Sequence, residues 1–232
     1  MKVLIATGLG ILTASIGVGS ASASGFTTNV TSSALCLAPD GCKTSVADAV
    51  TIDFNSGAPS TGFAQYNLSG GAQLFTGSQS GLSATPSKDT TKYLTLSTGK
   101  QAIVSFGGVA DYFGLYWGSI DTYNTVEFKK GASSLATFGG QQIADLVKSK
   151  YNLPNNQYAS WTNQYTNVYV DFFANTTAQQ FDTVILHSSG IAFESDNHAY
   201  RGVKPVPVPG MALGVIAAAG ALIAKRKKAA KV

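Results

Sequence analysis

"YFGLYWGSIDTYNTVEF", residues Tyr112 to Phe128, reads as a strand, a turn and a second strand. Aromatic and β-branched residues suit a pleated, half-buried surface. Side chains alternate across a strand. Phe113, Leu115 and Trp117 therefore share one face, and Tyr112, Tyr116 and the glycines share the other. Rings on both faces predict that both are covered, one by a second sheet and one by a helix. The functional alternative is that Tyr112, Tyr116 or the separate Trp161 stack on sugar rings, because an aromatic face is apolar and its rim can hydrogen-bond. "SIDTYN", Ser119 to Asn124, makes the tight turn between the two strands.

The same texture continues outward in both directions. Short runs bounded by Gly, Ser, Asn and Pro mark strands over Val50 to Phe54, Gly62 to Leu68, Ala72 to Phe75, Tyr93 to Ser97 and Ala102 to Phe106. Further runs follow over Ser134 to Phe138, Asn167 to Phe173, Phe181 to His187 and Ile191 to Asn197. One segment breaks the pattern. In "GGQQIADLVKSKYNLP", Ile143, Leu146, Val147 and Tyr151 recur at helical spacing, and Leu153-Pro154 ends the run. A helix over Gln141 to Tyr151 follows. Many strands and one short amphipathic helix predict an all-β fold, an antiparallel β-sandwich of jelly-roll or lectin-like kind.

Both ends of the chain read as addresses. Lys2, the apolar stretch Val3 to Val18 and the small-x-small triplet Ala21-Ser22-Ala23 have the form of a secretory signal, with cleavage before Ser24. At the other end stand "KPVPVPG", the apolar run Met211 to Ala224 and the basic cluster Lys225, Arg226, Lys227, Lys228. As a helix that run spans roughly 21 Å, against a hydrocarbon core of about 30 Å. It is mostly Ala and Gly, so it engages a membrane transiently rather than anchoring there. The cations stay on the cytoplasmic side, and everything between the two apolar segments is exported. The expected organisation is a signal peptide over 1–23, a β-sandwich over 24–200, a Pro-rich linker over 201–210, an apolar sorting segment over 211–224 and a basic tail over 225–232.

The formal charge of +4 belongs to these addresses. Without Lys2 and the five tail cations (Lys231 is the fifth), 10 basic residues face 12 acidic ones, a net −2. That excludes a basic nucleic-acid surface. The two cysteines, Cys36 and Cys42, flank a Pro39-Asp40-Gly41 turn signal. In an exported chain they are expected to form a disulfide.

Candidate chemistry is sparse. His187 and His198 sit in no nucleophile or metal motif, and the acidic residues are scattered, so no catalytic activity is expected. The final run "IAFESDNHAY" offers Glu194, Asp196 and His198 on the face opposite Ile191 and Phe193. Calcium takes carboxylate oxygens. Asp53 joins Glu194 and Asp196 if the first and last of these strands pair. The plainer alternative is a solvated polar face and no cofactor.

The blocks "YFGLYWGSIDTYNTVEF" and "FDTVILHSSGIAFESDNHAYR" (Phe181 to Arg201), with the Pro-rich spacer, apolar run and basic end, resemble the exosortase-dependent bacterial surface proteins of the PEP-CTERM group. The family's Pro-Glu-Pro is Pro207-Val208-Pro209 here, between Pro205 and Gly210. The resemblance implies passage through the secretion machinery, removal of the tail by a membrane-embedded exosortase, and release or attachment at the cell surface. It also implies a place in exopolysaccharide or biofilm matrix. A lectin-like module attached to exopolysaccharide, with or without calcium, is the alternative.

Overall fold

The computed structural model describes residues 21–23, 25–154 and 163–204. Residues 21–23 are described as backbone only. Outside the described residues lie most of the signal, Ser24, Trp161, the proline motif and the whole of the apolar and basic tail. Among the described residues, twelve strands and one α-helix follow in order: β1 (Ala21–Ala23), β2 (Phe26–Ser32), β3 (Val50–Ile52), β4 (Ala64–Asn67), β5 (Gln73–Thr76), β6 (Lys92–Leu96), β7 (Lys100–Gly118), β8 (Asn124–Lys130), β9 (Ser133–Gly139), α1 (Gly140–Tyr151), β10 (Val168–Ala174), β11 (Phe181–Ser188) and β12 (Phe193–Gly202). The fold is all-β, and every strand pairing is antiparallel.

β7 organises the sheet. Two expected strands, separated by "GGVAD", are one strand of 19 residues. Its first half pairs with β4 and β11. Its second half pairs with β10 and β12. The path β1-β2-β10-β7-β11-β8-β9 puts β2 and β8 far apart in the sheet. Yet the Phe26 and Phe128 rings lie 4.9 Å apart. The sheet therefore folds over on itself. Phe26, Phe113, Phe128, Phe138, Phe172 and Phe181 fill the space between its halves.

α1 packs on β2 and β9, which lie at or next to the two ends of that path. It closes the gap with Ile143, Ala144, Leu146 and Val147. Lys150 Nζ donates to the Val30 carbonyl at 2.5 Å, and the Tyr151 hydroxyl accepts from the Ser32 amide at 2.8 Å. Asn152, at φ 50°, ends the helix in the left-handed region, where Asn is tolerated. Among the described residues, no helix is long and apolar enough to cross a membrane.

Two departures from the sequence expectation matter here. β2 carries Phe26, Thr28, Val30 and Ser32 inward, and two hydroxyl residues mask its apolar alternation. β12 does not alternate to its end. Its register with β7 shifts between Asp196 and Ala199, and Asn197 takes φ 48°. This is a β-bulge, which re-aims every side chain after it.

Candidate functional site

The bulge decides where the chemistry of β12 points. Phe193 stacks on Trp117 with centroids 4.5 Å apart, inside the core. His198 follows it to that side. Its Nε2 lies 2.9 Å from Ser195 Oγ and its Nδ1 lies 3.0 Å from the Tyr66 hydroxyl. Its ring packs among those of Phe54, Tyr66 and Phe113. Burial lowers its pKa to about 3, so it is a neutral core residue. The expectation that His198 shares a face with Glu194 and Asp196 is corrected by one inserted residue.

Glu194 and Asp196 remain on the opposite face, and that face is not open. The chain from Ser33 to Thr44 and the loop from Gly77 to Thr91 lie across it. Cys36 and Cys42 form a disulfide that shares one buried cluster with Tyr116 and Tyr169. Gly41 sits so close that a Cβ there would come within 2.5 Å of Tyr116 Cε1. Gly114, between the rings, leaves room for Tyr169, whose Cε1 would lie 2.8 Å from a Cβ.

The tyrosine hydroxyls are spent inside the protein, on the covering segments and on neighbouring strands. Tyr116 donates to the Ser87 carbonyl at 2.5 Å, and Tyr112 donates to Asp171 Oδ1 at 2.7 Å. Tyr169 donates to the Asn197 carbonyl at 3.0 Å. Tyr112 and Tyr116 are 0% exposed, so neither presents a ring to a sugar. Burial raises both hydroxyl pKa values far above the ordinary range. They are the hydrogen-bonded underside of a lid.

The two carboxyl groups of β12 pin the loop Gly77 to Thr91 at two points. Glu194 Oε1 accepts from the Ala84 amide at 2.8 Å, and Oε2 accepts from Ser119 Oγ at 2.6 Å. Burial, only partly offset by these bonds, raises its pKa to about 7. Asp196 faces Asp89, and Thr91 Oγ1 reaches both, at 2.7 Å to Asp89 and 3.5 Å to Asp196. Burial first, and the neighbouring Asp89 charge second, raise the Asp196 pKa to about 9. Asp53 turns away to cap its own loop, accepting from Asn55 N and Nδ2 at 3.1 Å each. The three expected metal ligands are therefore not gathered. Among the described residues, no three His, Cys, Asp or Glu side chains come together to hold a metal.

Beyond the Glu194 end of that loop the surface opens. A cleft of about 440 Å³ is lined by Leu82, Ser119, Asp121, Tyr123, Ile191 and Glu194, among others. Leu82 and Ile191 stand exposed at its rim, at 50% and 56%. The Tyr123 hydroxyl donates to Asp121 Oδ2 at 2.7 Å, and its ring lies over Gly190, where a Cβ would come within 2.7 Å. Burial raises the Asp121 pKa. "SIDTYN" is the expected turn, with Asn124 N donating to the Asp121 carbonyl at 3.3 Å. Its use as a cleft wall has no signal in the sequence. Compared with protein-family models, curated proteins and solved structures, the chain matches none.

Proposed function

We propose that the chain is an exported protein of a bacterial cell surface or extracellular matrix, without catalytic activity. It is sorted through its C-terminal PEP-CTERM-like segment by an exosortase-type protease. The folded antiparallel sheet is of the jelly-roll, lectin-like kind. The observation that carries export is the Cys36–Cys42 disulfide, because its short loop seats a lid on buried tyrosines and such a staple persists in oxidising compartments. The signal-like N-terminus and the tail give the route. The test is the intact mass of the protein recovered from the cell surface or medium. The expected product begins at Ser24, lacks Met211 to Val232 and contains no free thiol. A full-length product with both thiols reduced overturns the reading.

The second reading, a module that binds exopolysaccharide, is favoured by the cleft. Tyr123 offers an apolar ring, and Glu194, Asp121 and Ser119 offer acceptors and a hydroxyl, the mix that suits sugar hydroxyls over a ring face. Two acids in a cleft also invite comparison with a glycosidase. Both Glu194 oxygens, however, are engaged by Ala84 and Ser119, which supports binding over proton transfer. Retention of a glycan by the wild type and its loss in Tyr123→Ala is the expected result. Release of reducing sugar from that glycan contradicts it.

A further inference from the structure

Three buried oxygen atoms beside the lid have no hydrogen-bond donor among the described residues: Asp89 Oδ2, Asp196 Oδ1 and Asn197 Oδ1. All three residues are at most 4% exposed. They belong to one neighbourhood. Asp89 and Asp196 share the Thr91 hydroxyl. Asn197 follows Asp196 on the bulge, and its amide is tied to the Asp40 carbonyl at 2.5 Å. Asp40 in turn forms a backbone bridge with Asp89. The amide cannot be flipped to relieve its oxygen, because Nδ2 is the atom that meets the Asp40 carbonyl.

Two carboxylates buried side by side are costly unless something positive lies between them. Among the described residues, no basic side chain does so. The lysines of the adjoining segments are engaged elsewhere: Lys88 with the carbonyls of Ala34 and Cys36, Lys92 with that of Asn55, and Lys43 with Asp40. A single proton would join the two carboxyls and leave the Asn197 oxygen orphaned. A hard cation would serve all three, since calcium takes carboxylate and amide oxygens together and fills its remaining positions with carbonyls or water.

We infer that Asp89, Asp196 and Asn197 bind a divalent cation of the calcium class between the bulge of β12 and the loop Gly77 to Thr91. The set keeps one expected ligand, Asp196, and replaces Asp53 and Glu194 with Asp89 and Asn197. Its consequence is mechanical. The loop that forms one wall of the cleft is held at Ala84 by Glu194 and, five residues on, at Asp89 by the cation.

The test uses the mature protein, stripped with chelator, and calcium chloride alone. Millimolar calcium is expected to raise the melting midpoint by about 5 °C through mass action. Terbium is expected to bind at one equivalent and to luminesce on tyrosine excitation, with Tyr169 as the near donor. Both responses are expected to vanish in Asp89→Asn and in Asp196→Asn, and to persist in Asp53→Asn and Asp182→Asn. Should the variants fail to fold, the wild type still decides by its calcium and terbium responses. An unchanged midpoint with no terbium signal overturns the site, and so do responses that survive both Asp89→Asn and Asp196→Asn. A stability lost from pH 7 to pH 9 identically with calcium and with chelator also overturns it, and leaves a shared proton in its place.

Discussion

The two halves of β7 are one strand in two environments. From Lys100 to Phe106 the strand alternates: Ala102, Val104 and Phe106 are buried, while Ser105 is exposed. From Tyr112 to Gly118 every residue is buried. The inner faces of the two halves match, both feeding the aromatic core. The outer faces differ because the disulfide-closed lid and the loop Gly77 to Thr91 cover only the second half. A covered face can use Tyr, Asp and Glu as internal fasteners, whereas an open one leaves polar residues to solvent. Tyrosines that look like a sugar platform in the sequence are fasteners, and the aromatic that lines the cleft is the half-buried Tyr123, around the turn.

The largest expected effect lies on the face the halves share. Trp117→Ala removes a fully buried ring stacked on Phe193 and is expected to cost about 3–5 kcal/mol in denaturant unfolding. Next comes the lid. Reduction of Cys36–Cys42, or Cys36→Ser with Cys42→Ser, is expected to cost about 2 kcal/mol for so short a loop, read from the urea midpoint.

Titration sharpens the contrast further. Asp196 has a folded pKa of about 9, raised above its unfolded value. Without a bound cation the folded chain holds a proton there that the unfolded chain has released. The stability this provides is present at low pH and is lost as pH rises through about 9. His198, lowered to about 3, stays neutral in the window from pH 7 to 9, and Glu194, raised to about 7, is half titrated where the window opens and adds to the slope mainly below pH 8. In chelator, stability is expected to fall by about 1 kcal/mol per pH unit across that window. The slope is expected to flatten in Asp196→Asn, as followed by urea unfolding at fixed ionic strength. The smallest effect belongs to the open half: Ser105→Ala, exposed on β7, is expected to shift stability by under about 0.5 kcal/mol. A loss comparable to that of the lid would break the comparison.

Much of the fold was legible because aromatic and β-branched runs mark strands wherever packing follows local pattern. The helix boundaries and the disulfide were legible for the same reason: Leu153-Pro154 stops a helix, and Pro39-Asp40-Gly41 turns a chain. Three things were not. β2 hides behind Thr28 and Ser32, which are buried although polar. The continuity of β7 hides behind Gly107 and Gly108, which read as a break but carry the strand on. The bulge at Asn197 hides entirely, because nothing in "ESDNH" announces that one residue will be looped out. That last omission misplaced His198, and with it the face shared by the acidic residues. The cleft was illegible for a different reason. Leu82, Tyr123 and Ile191 are far apart in sequence and meet only through the fold.

The central claim is that the second half of β7 lies beneath a lid held shut by a disulfide, and amide hydrogen exchange tests it most directly. In the oxidised protein, amides from Tyr112 to Gly118 and from Val168 to Asp171 are expected to be the slowest to exchange. Reduction of Cys36–Cys42 is expected to speed those amides by at least about tenfold while leaving Gln101 to Phe106 unchanged. Equal acceleration in both halves, or none in the second, would contradict the account.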